Sequence, residues 1–227
     1  MSAPAIVAKG TVGVLTLPRV PPEEAAPCYK PFFAAFPDGR VGAHLEAQVA
    51  ELEELLAGLT ESGAMFRYAE GKWTIKEVIG HLLDTERIFA YRLLRISRGD
   101  LTDLPGFDET TYAPEGQFNL RTVADLVSEF TLQRASTLAL VNGIPSAAWP
   151  RVGTANGFRT SARAIVYIIL GHTAHHFAVL RERYRLVGED RAAGLPRSRR
   201  RCLARWRNAA VMNQYTPIAR VAPTWTP

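Results

Sequence analysis

Three of the chain's five histidines fall within residues 172–176, in the stretch Gly171-His172-Thr173-Ala174-His175-His176. The surrounding run from Ala164 to Leu180, with Ile165, Ile168, Ile169, Leu170, Phe177, Val179 and Leu180, reads as a buried helix rather than a loop. His172 and His176 are four apart, which on an α-helix is about 40° of rotation and roughly 6 Å of rise. Both rings therefore leave the same face, and they continue the apolar stripe Ile165, Ile169, His172, His176, Val179. Two imidazoles placed where a core wants leucine are costly to bury unpaired. A metal ion satisfies both. Backbone carbonyls also satisfy core histidines, so this pair alone leaves the two readings open.

A third histidine has to come from another element. Thr74-Ile75-Lys76-Glu77 has the form of a capping box, with Thr74 as N-cap and Glu77 reaching back. The helix it opens is expected to run to about Ser97, with Gly99 as a left-handed stop and Val78, Ile79, Leu82, Phe89, Leu93 and Ile96 as core candidates. His81 sits two turns in, near the line of Val78 and Ile88, and is the natural third ligand. Three neutral imidazoles with no fourth protein ligand match an open zinc or nickel site, the pattern of a catalytic centre. His175 is three residues from His172 but lies off the stripe, so it is expected on the helix flank. Asp84 and Thr85 follow His81 by three and four residues, and both can neighbour its ring. Asp84 either orients His81 or acts as a base, or else is a solvated helix acid. Glu86 and Arg87 are expected as surface residues pairing with neighbouring helices. Trp73 and Phe107 are expected in the core or walling the pocket. His44 reads as a partly exposed histidine without a role.

The remaining chain supplies two more long helices. The first is expected from about Val41 to Leu59, with Leu45, Val49, Leu52, Leu55, Leu56 and Leu59 on its apolar face and Gly63 at its exit. The other is expected from about Leu120 to Val141, ended by Gly143, and the histidine helix from Ser161 to about Leu186. Residues 100–119 read as a long loop containing Leu104-Pro105-Gly106-Phe107-Asp108. Asn156-Gly157 suggests a tight turn or small hairpin before the last helix. Four long helices without a convincing strand series indicate an all-α bundle at residues 38–190. Residues 1–37, rich in Pro and Ala, are expected to form an irregular arm docking through Tyr29, Phe32, Phe33 and Phe36.

Charge and cysteine usage narrow the function classes. The chain has 227 residues and a formal net charge of +5. Eight of its 27 basic residues, and none of its 22 acidic ones, lie in residues 191–227, so residues 1–190 carry 19 against 22 and are net acidic. The basicity belongs to an Arg-rich tail, expected to be disordered and dispensable for folding. This argues against nucleic acid as the partner. Cys28 and Cys202 suggest neither a disulfide framework nor a thiolate zinc site. No apolar run reaches the ~18 residues of a membrane span. A cytoplasmic setting, no membrane partner and a small-molecule substrate are the resulting expectations.

Taken together, Trp73-Thr-Ile-Lys-Glu-Val-Ile-Gly-His81-Leu-Leu-Asp84-Thr-Glu86-Arg87, Leu104-Pro-Gly-Phe-Asp108, Gly153-Thr-Ala-Asn-Gly157 and Gly171-His172-Thr-Ala-His-His176 resemble the DinB/YfiT-like superfamily of metalloenzymes. The likeness covers about Ala26 to Leu186. It implies an up-down-down-up four-helix bundle, usually a homodimer, with a divalent metal, zinc or nickel, on the histidines matching His81, His172 and His176. It also implies a hydrolase, or a thiol S-transferase with a low-molecular-weight thiol as cosubstrate. The alternative is a non-catalytic bundle stapled by its metal, acting as a binding or stress-response protein.

Overall fold

Helix starts in this chain are set by short polar side chains, and three of the four long helices begin on one. In the computed structural model, which describes residues 15–186, the Thr74 hydroxyl accepts from the Glu77 amide at 3.0 Å. The Glu77 carboxylate in turn accepts from the Thr74 amide at 2.7 Å. This opens α3, Ile75–Ser97. Thr122 caps α5, Val123–Asn142, and Ser161 caps α6, Ala162–Glu182. The fourth long helix, α2, spans Val41–Leu56. Two short helices complete the set: α1, Lys30–Ala34, in the N-terminal arm, and α4, Glu109–Glu115. A hairpin of β1, Val152–Ala155, and β2, Phe158–Ser161, precedes α6.

The long helices form the expected bundle. α2 and α3 each pack against both α5 and α6, so the four close a ring in the order α2, α5, α3, α6. Leu45, Leu52, Leu82, Leu93, Leu126, Phe130, Ile165, Ile169 and Phe177 lie wholly inside. The arm packs through α1 on α6, and Phe32 and Phe36 are buried there. Among the described residues no helix is long and apolar enough to cross a membrane. The Arg-rich segment 191–227, with Cys202, lies outside the described residues.

Several boundaries differ from the sequence expectation, each for a local reason. α2 ends at Leu56 rather than Leu59, because Gly58 takes the left-handed conformation (φ 72°) ahead of Gly63. α5 starts at Val123, not Leu120. Thr122 accepts from the Asp125 amide at 3.1 Å, and the preceding turn Phe118–Leu120 is a 3₁₀ helix. α6 ends at Glu182, short of Leu186. The stretch 100–119 is not all loop, since Asp108 caps α4. The fold is helical but not purely so. Asn156 and Gly157 both have positive φ (53° and 75°), the geometry of a two-residue hairpin turn. Leu104 bridges onto this hairpin, donating to Thr154 O at 3.0 Å and accepting from Asn156 N at 2.9 Å.

Glu86 is the clearest correction. Expected at the surface, it is buried and pairs with the fully buried Arg134 of α5 at 2.9 Å. Arg134 also donates to Gln48 Oε1 at 2.9 Å and Thr173 Oγ1 at 3.1 Å. Gln48 donates to Leu170 O at 2.9 Å. One polar network thus ties α2, α3, α5 and α6 together beside the histidine helix. Arg87 does make the expected surface pair, with Glu129 of α5.

Candidate metal centre

α3 and α6 pack directly on each other, and the three histidines meet at that contact. His81 Nε2 lies 3.0 Å from His172 Nε2, and His176 Nε2 lies 3.2 Å from His172 Nε2. The three ring centroids are 4.6–4.9 Å apart. Their nitrogens form a group able to hold a metal ion, all within 4.8 Å of one another. Metal–nitrogen bonds of about 2.0–2.1 Å at tetrahedral angles put donor nitrogens about 3.3 Å apart, and the 3.0 and 3.2 Å separations from His172 are close to that. A neutral imidazole carries one N–H, and three Nε2 atoms facing one point cannot all be satisfied by each other.

Electrostatics favour the ligand-competent form. Burial pushes His81 down to about 4, with the nearby His175 adding to the shift. Burial and the neighbouring rings push His172 and His176 well below the ordinary histidine range. All three rings are therefore neutral near pH 7, as metal ligation requires.

Two glycines directly precede histidines of the cluster, Gly80 before His81 and Gly171 before His172. A Cβ on Gly80 would meet the Phe118 ring at 2.1 Å, and one on Gly171 would meet Phe32 Cβ at 2.2 Å. Each glycine thus admits an aromatic side chain against the helix backbone beside a histidine. The signal was present in the sequence, because glycine inside a helix costs about 1 kcal/mol against alanine and asks for a packing reason. Trp73 stacks on His81 with centroids 4.8 Å apart. Thr85 Oγ1 lies 3.4 Å from His81 Nδ1. Asp84 faces a cleft of about 390 Å³ with Thr111, Tyr112, Glu115 and Gly116. Burial raises its carboxyl above the usual range. His175 stands beside His176, centroids 5.1 Å apart, and near Phe32 at 6.5 Å, outside the three-nitrogen group. His44 is remote in role, bonded to Asp38 at 2.9 Å and packed on Phe36. Phe107 lies against Tyr112 and the Arg92 guanidinium rather than at the histidines.

The class defined by these features is a helical bundle with a three-histidine cluster between two of its helices. A sequence model of the DinB superfamily matches residues 44–180, and the chain belongs to that superfamily. Among solved structures it is similar to YfiT from Bacillus subtilis, described as "a probable metal-dependent hydrolase with an unusual four-helix bundle topology". The TM-score is 0.60 at 18% identity, over 64% of this chain and 85% of that one. Comparison with curated proteins gives no match.

Proposed function

We propose that the chain is a metal-dependent enzyme in which His81, His172 and His176 hold one divalent transition metal, zinc or nickel. The observation that supports this most directly is the convergence of three neutral Nε2 atoms at 3.0 and 3.2 Å. A bound ion would supply Lewis-acid charge, lowering the pKa of a water or thiol at its open position. The chain's own residues do the rest. Trp73 packs on the His81 ring and Phe32 on the helix at Gly171, Thr85 steadies His81, and Asp84, three residues on from His81, offers a carboxylate of raised proton affinity in its own cleft.

Hydrolysis is the first reading, supported by the printed description of YfiT. Thiol S-transfer, with a low-molecular-weight thiol as cosubstrate, would use the same centre. Either way the nucleophile comes from outside the chain. Burial raises the Cys28 thiol rather than activating it. We also propose the up-down-down-up path and a homodimer. Neighbouring α3 and α5 are joined by residues 98–122, a connection long enough for two parallel helices. Exposed Tyr91, Leu94, Leu101 and Leu132 offer apolar surface for a second copy.

Metal analysis of the purified protein tests the reading. Replacing His81, His172 or His176 by Ala should each cut occupancy at least tenfold, His175→Ala less, and His44→Ala not at all. Metal-free protein whose melting temperature responds to neither zinc nor nickel would sink the proposal. A parallel screen of ester and amide hydrolysis against thiol transfer separates the two reaction classes.

A further inference from the structure

The bundle contains two deeply buried arginines, and they are treated differently. Arg134 has Glu86, Gln48 and Thr173 around it. Arg92, on α3, is only 4% exposed. Among the described residues its guanidinium donates to a single acceptor, Pro105 O, at 2.7 Å, and no carboxylate reaches it. Its Nε is buried without a partner. A guanidinium presents five N–H donors in a fixed fork. Buried charges are ordinarily paired, because removing one from water without an opposite charge is expensive. The faces of Phe89 and Phe107 lie 5.2 and 5.8 Å from its central carbon and compensate only in part.

The surroundings of Arg92 lead to the histidines. Eleven residues separate it from His81 on α3, which is about 16 Å of rise and returns to nearly the same face. The side chain folds back over Phe89, three residues earlier, bringing the charge about a turn closer. Tyr29 of the arm lies near enough for the Arg92 charge to act on its phenol, which burial pushes up to about 12 and so keeps as an O–H donor. From Tyr29 a line of rings continues through Phe32 (5.9 Å), His175 (6.5 Å) and His176 (5.1 Å). Glu109 also acts on Tyr29, without pairing with Arg92.

We propose that Arg92 and the Tyr29 hydroxyl bind an oxyanion, carboxylate or phosphate, carried by the substrate whose reacting end lies at the three histidines. The single bond to Pro105 leaves most of the fork for this ligand, and the aromatic line gives its apolar middle a wall. The substrate is then an elongated molecule with an anionic terminus on the order of 10 Å from its reacting atom. Calling the ligand a substrate rests on the metal-centre reading; the oxyanion site itself does not.

Sodium phosphate and sodium succinate, each against sodium chloride at matched ionic strength, test the site. Binding is read by melting temperature and titration calorimetry on the wild-type, Arg92→Gln, Tyr29→Phe and His172→Ala proteins. At least one oxyanion should raise the wild-type melting temperature where chloride does not, and which one does identifies the class. Arg92→Gln should weaken binding about tenfold or more, as expected for loss of a charge-assisted pair. Tyr29→Phe, which keeps the ring, should weaken it severalfold and carries the test if Arg92→Gln does not fold. His172→Ala should keep the response, whatever its metal content, so loss of the metal reading leaves this result intact. No response in the wild type, full binding by Arg92→Gln, full binding by Tyr29→Phe, or a response lost only in His172→Ala would overturn the proposal.

Discussion

His81 shows how one buried ring sets a pH response. Its folded pKa of about 4 lies below the ordinary 6.5, chiefly through burial. As pH falls the unfolded chain therefore takes up the proton first. The stability that a neutral His81 contributes is fully present above about 6.5 and is lost progressively as pH falls toward 4. Each unit of that gap corresponds to about 1.4 kcal/mol. His172 and His176 act in the same direction. In the presence of chelator, the melting temperature should drop across this window, and His81→Gln should show a shallower fall. A flat profile for the wild type would contradict the burial-driven shift. The Glu86–Arg134 pair permits a sharper test of a different kind. Removing one partner leaves a buried charge uncompensated, so Glu86→Gln should cost about 3–5 kcal/mol in a denaturant titration. Glu86→Leu combined with Arg134→Met should recover much of that loss, because desolvation of both charges disappears together.

At the scale of elements, the helix–aromatic notches are decisive. Alanine is the better helix former, so Gly80→Ala and Gly171→Ala would each stabilise an isolated helix by about 1 kcal/mol. In the protein the added methyl collides with Phe118 or Phe32, and overpacking of this kind costs about 1–3 kcal/mol. We expect a net loss of several degrees in melting temperature for each, by calorimetry. Phe118→Leu should partly rescue Gly80→Ala. The caps and the histidine spacing were legible in the sequence because they obey local rules: Thr74 with Glu77, Ser161 before the apolar run, two histidines four apart. The burial of Glu86 was not legible. Its partner Arg134 is 48 residues away on another helix, and nothing local distinguishes that glutamate from a solvated one. The pairing of Gly80 with Phe118 was hidden for the same reason. Only half the signal, a glycine before His81 and another before His172, lies in the helices themselves.

For the molecule as a whole, the proposed metal would couple the packing of α3 and α6 to an ion. A metal bound only by the folded state stabilises it by mass action, about 2.7 kcal/mol at a free concentration of 100 times Kd. Adding excess zinc or nickel to stripped protein should therefore raise the melting temperature by several degrees, and a strong chelator should reverse it. His172→Ala should show neither change. The same treatment should leave helical content at 20 °C nearly unaltered, because the apolar core and the Arg134 network span all four long helices independently of the ion.

Phe32 sits in the Gly171 notch, yet it belongs to a segment that enters the bundle from outside it. The packing beside His172 and His175 is thus shared between the bundle and an attached strip of chain. Residues that face the core of α3 and α6 are fully enclosed, whereas Tyr29 and Phe33 are only partly buried against it. Changes in that strip can alter the packing beside His175 and the Gly171 notch while His81, His172 and His176 stay as they are. Grafting residues 27–36 from one relative onto another is consequently a way to vary the surroundings of the histidine helix without redesigning the bundle.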